Sequence, residues 1–166
     1  MKYKIFDTVN TLLEQYVGGQ IFFTELDKAV KFDVEVVQSL HEKMKEVFGK
    51  DHGLLTIASG EIGLSMHNLG ISVDFLVPGG LRHDPNKINL TPFKHHIEGN
   101  YFVFLDDSYF SGKTAMVVKE EIEKLGGFFV GTLVAYDGSK TKDKDVWSLY
   151  RYYDHYDILG RPLKGD

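Results

Sequence analysis

The sequence contains no cysteine, which excludes disulfides, thiolate zinc sites and cysteine nucleophiles. No apolar run approaches the ~18 residues that a membrane-spanning helix requires, so no membrane partner is expected. A basic surplus is also missing: Lys and Arg number 19 against 24 Asp and Glu, a formal net charge of -5. Proteins that hold nucleic acid by neutralising phosphates present a basic face, so nucleic acid is not an expected partner either. At the N-terminus, Asp7 interrupts MKYKIFDTVN before an apolar core can form, which argues against a secretory signal. These absences together lead us to expect a soluble cytoplasmic protein.

What is present is a chain of 166 residues, 43% of them hydrophobic. That suffices for one sizeable core and falls short of two ordinary domains. Residues 1–166 are therefore expected to form a single domain with three stretches: a helical segment over 1–49, a core over 50–137 and an aromatic segment over 138–166. In the first, Thr24 and Asp27 resemble a helix start before Leu26, Ala29 and Val30. Asp33 is a plausible N-cap for a second helix, with Val37, Leu40, Met44 and Val47 as its apolar stripe and Gly49 as its stop. Two helices in series suggest a helix-turn-helix, but Asp33, Glu35, Glu42 and Glu46 outnumber Lys43 and Lys45, and phosphates would repel such a helix. Helices covering one face of a sheet are the better reading.

From Leu54 the pattern alternates. Leu54 to Ala58 reads as a strand, Ser59-Gly60-Glu61 as a tight loop, and Ile62, Leu64 and Met66 as a helix ending near Gly70. Ile71 to Val77 reads as a second strand closed by Pro78-Gly79-Gly80, and Leu81 to Gly99 as a long polar loop, a length that is usually functional or disordered. Tyr101 to Leu105 is a third strand. A helix with Ala115, Val118, Ile122 and Leu125 on one face follows, ended by Gly126-Gly127, and the continuous apolar run Phe128 to Tyr136 indicates a strand buried on both faces of a parallel sheet. Alternating strands and helices give an α/β fold, a doubly wound, mainly parallel sheet with N-terminal helices. Trp147, Tyr150, Tyr152, Tyr153 and Tyr156 crowd the C-terminal stretch, where they could stack on a ligand or fill a core. The last residues, RPLKGD, read as a frayed tail.

The stretch YFVFLDDSYFSGKT, Tyr101 to Thr114, carries the chemistry. It lies where ligands bind in open α/β sheets, beyond the carboxyl end of a strand. Ser111-Gly112-Lys113-Thr114 puts small residues and free amides at a helix start, which favours a phosphate. Asp106 and Asp107 offer acceptors for a sugar diol, directly or through Mg2+. Two other readings compete. In the first, one of the aspartates simply caps the helix and Gly112 makes a turn. Gly112-Lys113-Thr114 also reproduces the end of a nucleoside-triphosphate P-loop, but the glycine required five residues earlier is Asp107 here.

The segment LDDSYFSGKTA resembles the phosphoribosyl pyrophosphate (PRPP) motif of the type I phosphoribosyltransferases, matching at Asp106, Asp107, Gly112 and Thr114, with Ser111 in place of the usual threonine. LLTIASGEIGLS looks like that family's pyrophosphate loop, and SVDFLVPGGLRHDP like the strand leading into its flexible loop. The similarity covers about residues 50 to 137. It implies that Asp106 and Asp107 bind the ribose hydroxyls and Mg2+, and that Ser108, Tyr109, Phe110, Ser111, Gly112, Lys113 and Thr114 hold the 5'-phosphate. It further implies that Ser59, Gly60, Glu61 and Ile62 receive pyrophosphate with Arg82, that Asp106, Asp107 and Arg82 serve catalysis, and that the 81–99 loop closes over the site. The implied partners are PRPP and a nucleobase or similar acceptor, with a homodimer as the implied assembly. Two departures stand out. Phe110 occupies the place where 6-oxopurine enzymes carry an acid, and Glu61 stands where many members have glycine. Among the loop histidines, His95 and His96 would point to opposite sides of an extended segment and could not act together. The departures also feed a second expectation, a protein of the same fold that binds PRPP or a nucleotide as a signal.

Overall fold

The computed structural model describes residues 34–49 and 53–163, with the backbone alone for Glu61 and Leu64. The expected helix start at Thr24 and the Asp33 N-cap lie outside the described residues. Helix α1, Val34–Phe48, buries Val36, Val37, Leu40 and Met44 and turns Glu35, Glu42, Lys45 and Glu46 to solvent. Gly49 ends it at φ 83°, its amide bonded back to the Lys45 carbonyl at 2.9 Å. The buried part of the stripe expected from the spacing thus packs on a sheet face.

Among the described residues, five strands form one parallel sheet: β1 (Leu54–Ser59), β2 (Phe75–Val77), β3 (Tyr101–Tyr109), β4 (Phe128–Asp137) and β5 (Val146–Arg151), in the order β2-β1-β3-β4-β5. Helix α2 (Gly60–Asn68) follows β1, the short α3 (Lys94–Ile97) precedes β3, and α4 (Lys113–Lys124) joins β3 to β4. On one face, α1 and α2 pack Leu40, Ile62 and Met66 onto Val103, Leu105, Leu133 and Ala135. On the other, α4 packs Ala115, Val118 and Ile122 onto Ile57, Phe102 and Phe104. Successive residues of a strand face opposite sides, so β3 divides Phe102 and Phe104 from Val103 and Leu105. That division explains the continuous apolar run: both faces need filling.

Several boundaries differ from the sequence reading. No loop separates β1 from α2, because the strand ends at Ser59 and the helix begins at Gly60. Strand β2 is only the last part of Ile71 to Val77. Below it the Asp74 carboxylate accepts from the Thr56 amide at 2.8 Å and the Thr56 hydroxyl at 3.1 Å, so a side chain replaces the ladder there. Strand β3 continues four residues past Leu105, through both aspartates to Tyr109.

The long 81–99 stretch is neither polar throughout nor without structure. It forms 3-10 turns at Pro85–Lys87 and Thr91–Phe93 and then α3, and it buries Leu81, Ile88, Leu90 and Ile97 in the α4-side core. His95 and His96 lie in that helical turn with ring centroids 3.9 Å apart, which corrects the extended geometry expected of them. The C-terminal aromatics pack rather than project. Tyr136, Tyr150 and His155 stack in series, Phe48 meets Trp147 edge-on, and Tyr152 stacks on Tyr156. Of the expected frayed tail, the described residues 161–163 fold back: Tyr156 bridges Pro162, and Arg161 pairs with Asp157 at 2.7 Å.

Because Leu105 is wholly buried and Met116 is 53% exposed, truncating each should separate core from surface. Leu105→Ala is expected to cost about 3 kcal/mol in urea unfolding and Met116→Ala less than about 0.5 kcal/mol.

Candidate functional site

A cavity of about 460 Å³ opens beyond the carboxyl ends of β1, β2 and β3. The strand order reverses between β1 and β3, so α2 and α4 leave on opposite faces and a crevice stays open between them. Its lining includes Ser59, Pro78-Gly79-Gly80, Arg82, His83 and every residue from Asp106 to Ala115. The topology therefore brings Ser59, Pro78 to Gly80, Arg82, His83 and Asp106 to Ala115 to one place, while Ile62 lies in the core outside the lining.

Asp106 and Asp107 sit inside β3, where Asp106 pairs with Val134 and Ser108 with Tyr136. Both residues line the cavity, Asp107 at only 5% exposure. Asp106 Oδ1 accepts the Asp107 amide at 2.8 Å, and the Ser108 hydroxyl donates to Asp107 Oδ1 at 3.4 Å. Neither aspartate caps α4. The N-cap is Gly112, at φ 79°, with no side-chain capping bond. The first intrahelical bond runs from the Met116 amide to the Gly112 carbonyl, which leaves the earlier amides of α4 without a partner inside the helix. Ser111 Oγ accepts the Lys113 amide at 3.4 Å, a long contact that a stronger anion could displace.

The loop is shaped from beneath by a tyrosine. A Cβ added at Gly112 would lie 2.6 Å from the Tyr109 hydroxyl, and that hydroxyl donates to Asp143 Oδ2 at 2.6 Å. Burial first, then the bond to the Asp143 carboxylate, pushes the Tyr109 phenol well above its ordinary value. Tyr136 is raised in the same direction, chiefly by burial among aromatic rings. Asp143 escaped the sequence reading because nothing in a charged loop marks which acid will meet Tyr109.

On the side of β1, Ser59 lines the cavity and its hydroxyl is buried with no hydrogen-bond partner among the described residues. Gly60 and Glu61 open α2, and Ile62 is fully buried in the core, so it has only a backbone amide to offer. On the side of β2, the Gly80 to Asp84 turn presents Arg82 and His83, with Arg82 Nε donating to His83 Nε2 at 3.0 Å. A Cβ at Gly80 would sit 3.6 Å from the Lys87 ammonium, which places a further cation beside this wall. Lys94, His95 and His96 do not line the cavity. Gly79 and Gly80 join the wall; the sequence reading placed them in the stretch leading into the flexible loop without naming them as site residues. Among the described residues no group of three or more potential metal ligands gathers.

No family model matches the sequence, and no curated protein does. Solved structures do match. The orotate phosphoribosyltransferase of Mycobacterium tuberculosis H37Rv in complex with inorganic phosphate superposes with a TM-score of 0.58 at 13% identity, over 93% of this chain and 91% of that one. A phosphoribosyltransferase of Corynebacterium diphtheriae gives 0.58 at 13% identity, over 92% and 98%. The M. tuberculosis enzyme in complex with PRPP gives 0.55 at 12% identity, over 93% and 92%. The chain has the type I phosphoribosyltransferase fold.

Gly112→Ala should lower stability by about 1–3 kcal/mol in chemical denaturation, since it forces a side chain into left-handed backbone against the Tyr109 hydroxyl. The raised phenols make a second prediction. The folded chain keeps these protons to higher pH than the unfolded chain, so their contribution is intact below about pH 10 and is lost above it. Melting temperature should fall steeply beyond that point, and less steeply in Tyr109→Phe.

Proposed function

We propose that this chain binds PRPP with Mg2+ and transfers the phosphoribosyl group to a nitrogen of a nucleobase or similar acceptor, releasing pyrophosphate. One observation carries the reading: two strand-end carboxylates and an uncapped helix N-terminus border a single cavity at the switch point of the sheet. Carboxylates suit a ribose diol, and unpaired helix amides suit a phosphate. The PRPP complex of a protein with the same fold adds support.

In this reading the amides from Ser108 to Thr114 hold the 5'-phosphate, and Asp106 and Asp107 hold the ribose hydroxyls. Ser59, with the first-turn amides of α2 at Gly60, Glu61 and Ile62, receives the pyrophosphate, and Arg82 faces its charge. Ser59 fits because its buried hydroxyl would gain a partner. The donor set also fits Mg2+, which is typically bound through one or two carboxylates plus substrate phosphates and water rather than a full protein cage. Mg2+ would neutralise charge on the departing oxygens. The C1–O bond to pyrophosphate breaks and its electron pair leaves with that oxygen, while the acceptor nitrogen supplies the pair for the new N–C1 bond. Positive charge grows on the ribose meanwhile, and the two carboxylates beside it stabilise that charge.

A second reading, a non-catalytic PRPP or nucleotide sensor, draws on Phe110. Its ring, not an acid, lines the cavity there, packed 5.6 Å from the Tyr136 ring.

Purified protein with Mg2+ and PRPP should release pyrophosphate in the presence of one member of a nucleobase panel. PRPP binding by calorimetry without release from any acceptor would leave the sensor reading. Asp107→Asn should weaken PRPP binding by at least about tenfold, the loss of one charged hydrogen bond. Unchanged affinity would remove the site assignment itself.

A further inference from the structure

Glu121 is a carboxylate on a face that helical spacing reserves for apolar side chains. It lies one turn from Val118 and beside Ile122 on α4, and it is 7% exposed. A buried carboxylate is costly unless both oxygens find partners. Here Oε1 accepts the Leu90 amide at 2.9 Å, and Oε2 meets the Lys124 ammonium at 2.9 Å. Leu90 belongs to the segment that also anchors Leu81, Ile88 and Ile97 in the same core, and that begins at the Arg82–His83 wall of the cavity. The other end of α4 is the Ser111–Thr114 loop. Glu121 thus ties together the elements that carry two opposing sets of ligand groups.

We propose that Glu121 is a positioning residue. Through Leu90 it sets the spacing between the α4 N-terminus and the Arg82–His83 wall, so that the cavity is preformed for a ligand carrying phosphate at one end and pyrophosphate at the other. The proposal rests on the ribose-phosphate reading above. A ligand that touches both walls favours the spacing that the latch enforces, and by linkage the latch favours the ligand. Without it the segment must be ordered when the ligand binds, and affinity falls.

The test compares wild type, Glu121→Gln and Glu121→Leu by hydrogen exchange without ligand and by calorimetric titration with PRPP and Mg2+. Glu121→Gln keeps an oxygen for the Leu90 amide, whereas Glu121→Leu removes it and suits the apolar surroundings. Glu121→Leu should speed exchange in 81–97 while leaving β3 and β4 peptides unchanged, and should raise the PRPP dissociation constant about tenfold. Glu121→Gln should stay within about threefold of wild type. Exchange that accelerates everywhere, or local acceleration with unchanged PRPP affinity, overturns the proposal while the ribose-phosphate reading stands. A wild type that binds no PRPP overturns both.

Discussion

The structure depends on the parallel pairing of β1 with β3, from Leu54 opposite Tyr101 to Ala58 opposite Leu105. Each strand is followed by a helix, and the helices go to different faces, α2 with α1 on one side and α4 on the other. No helix can then fill the space above the junction. The crevice is a consequence of chain direction, and it exists whatever side chains line it. The packing below is what keeps it: Phe102 and Phe104 against one layer and Val103 and Leu105 against the other fix β3 so firmly that its last residues are held without helix caps.

Near the end of β3 stand two adjacent acids, both lining the cavity. Asp107 is nearly as buried as the apolar residues before it, and a buried carboxylate is destabilising unless it is partnered. Elsewhere in this chain buried acids have plain structural roles. Asp137 accepts the Ser139 amide and hydroxyl and pairs with Arg151, which closes the turn after β4, and Glu121 fastens a surface segment. Asp106 and Asp107 differ in facing a cavity, beside a glycine-capped helix whose first amides are unpaired within it. Negative side chains and positive helix amides close together would neutralise each other if each were the other's partner. They are instead separated by the Phe110–Gly112 turn, so the carboxylates and the helix amides border the cavity apart from one another.

Much of this was legible in the sequence where the signal is local. The apolar stripe of α1, the run of β4, the glycine stops at Gly49 and Gly126 and the doubly wound order all follow from period and punctuation. The motif at Asp106 to Thr114 lies at the carboxyl end of β3 and lines the cavity there. Legibility failed where the cause is tertiary. The extent of β2 is cut by a carboxylate eighteen residues from the amide it binds. The 81–99 stretch read as polar because its four buried apolar residues are spaced by turns rather than by a helix or strand period. Strand β3 outran its apolar run because β4 offers pairing partners as far as Asp137, and hydrogen bonding does not stop where hydrophobicity does.

At Phe110 the same kind of cause shapes the cavity wall. Its ring contacts Tyr136, and a Cβ at Gly138 would overlap it, so glycine at 138 makes the room that the ring occupies. Tyr136 is wholly buried and stacks on Tyr150, which stacks on His155. An acid placed at 110 would lie against this aromatic column, desolvated, with its charged form disfavoured. The apolar side chain there is therefore what the packing beneath the cavity calls for.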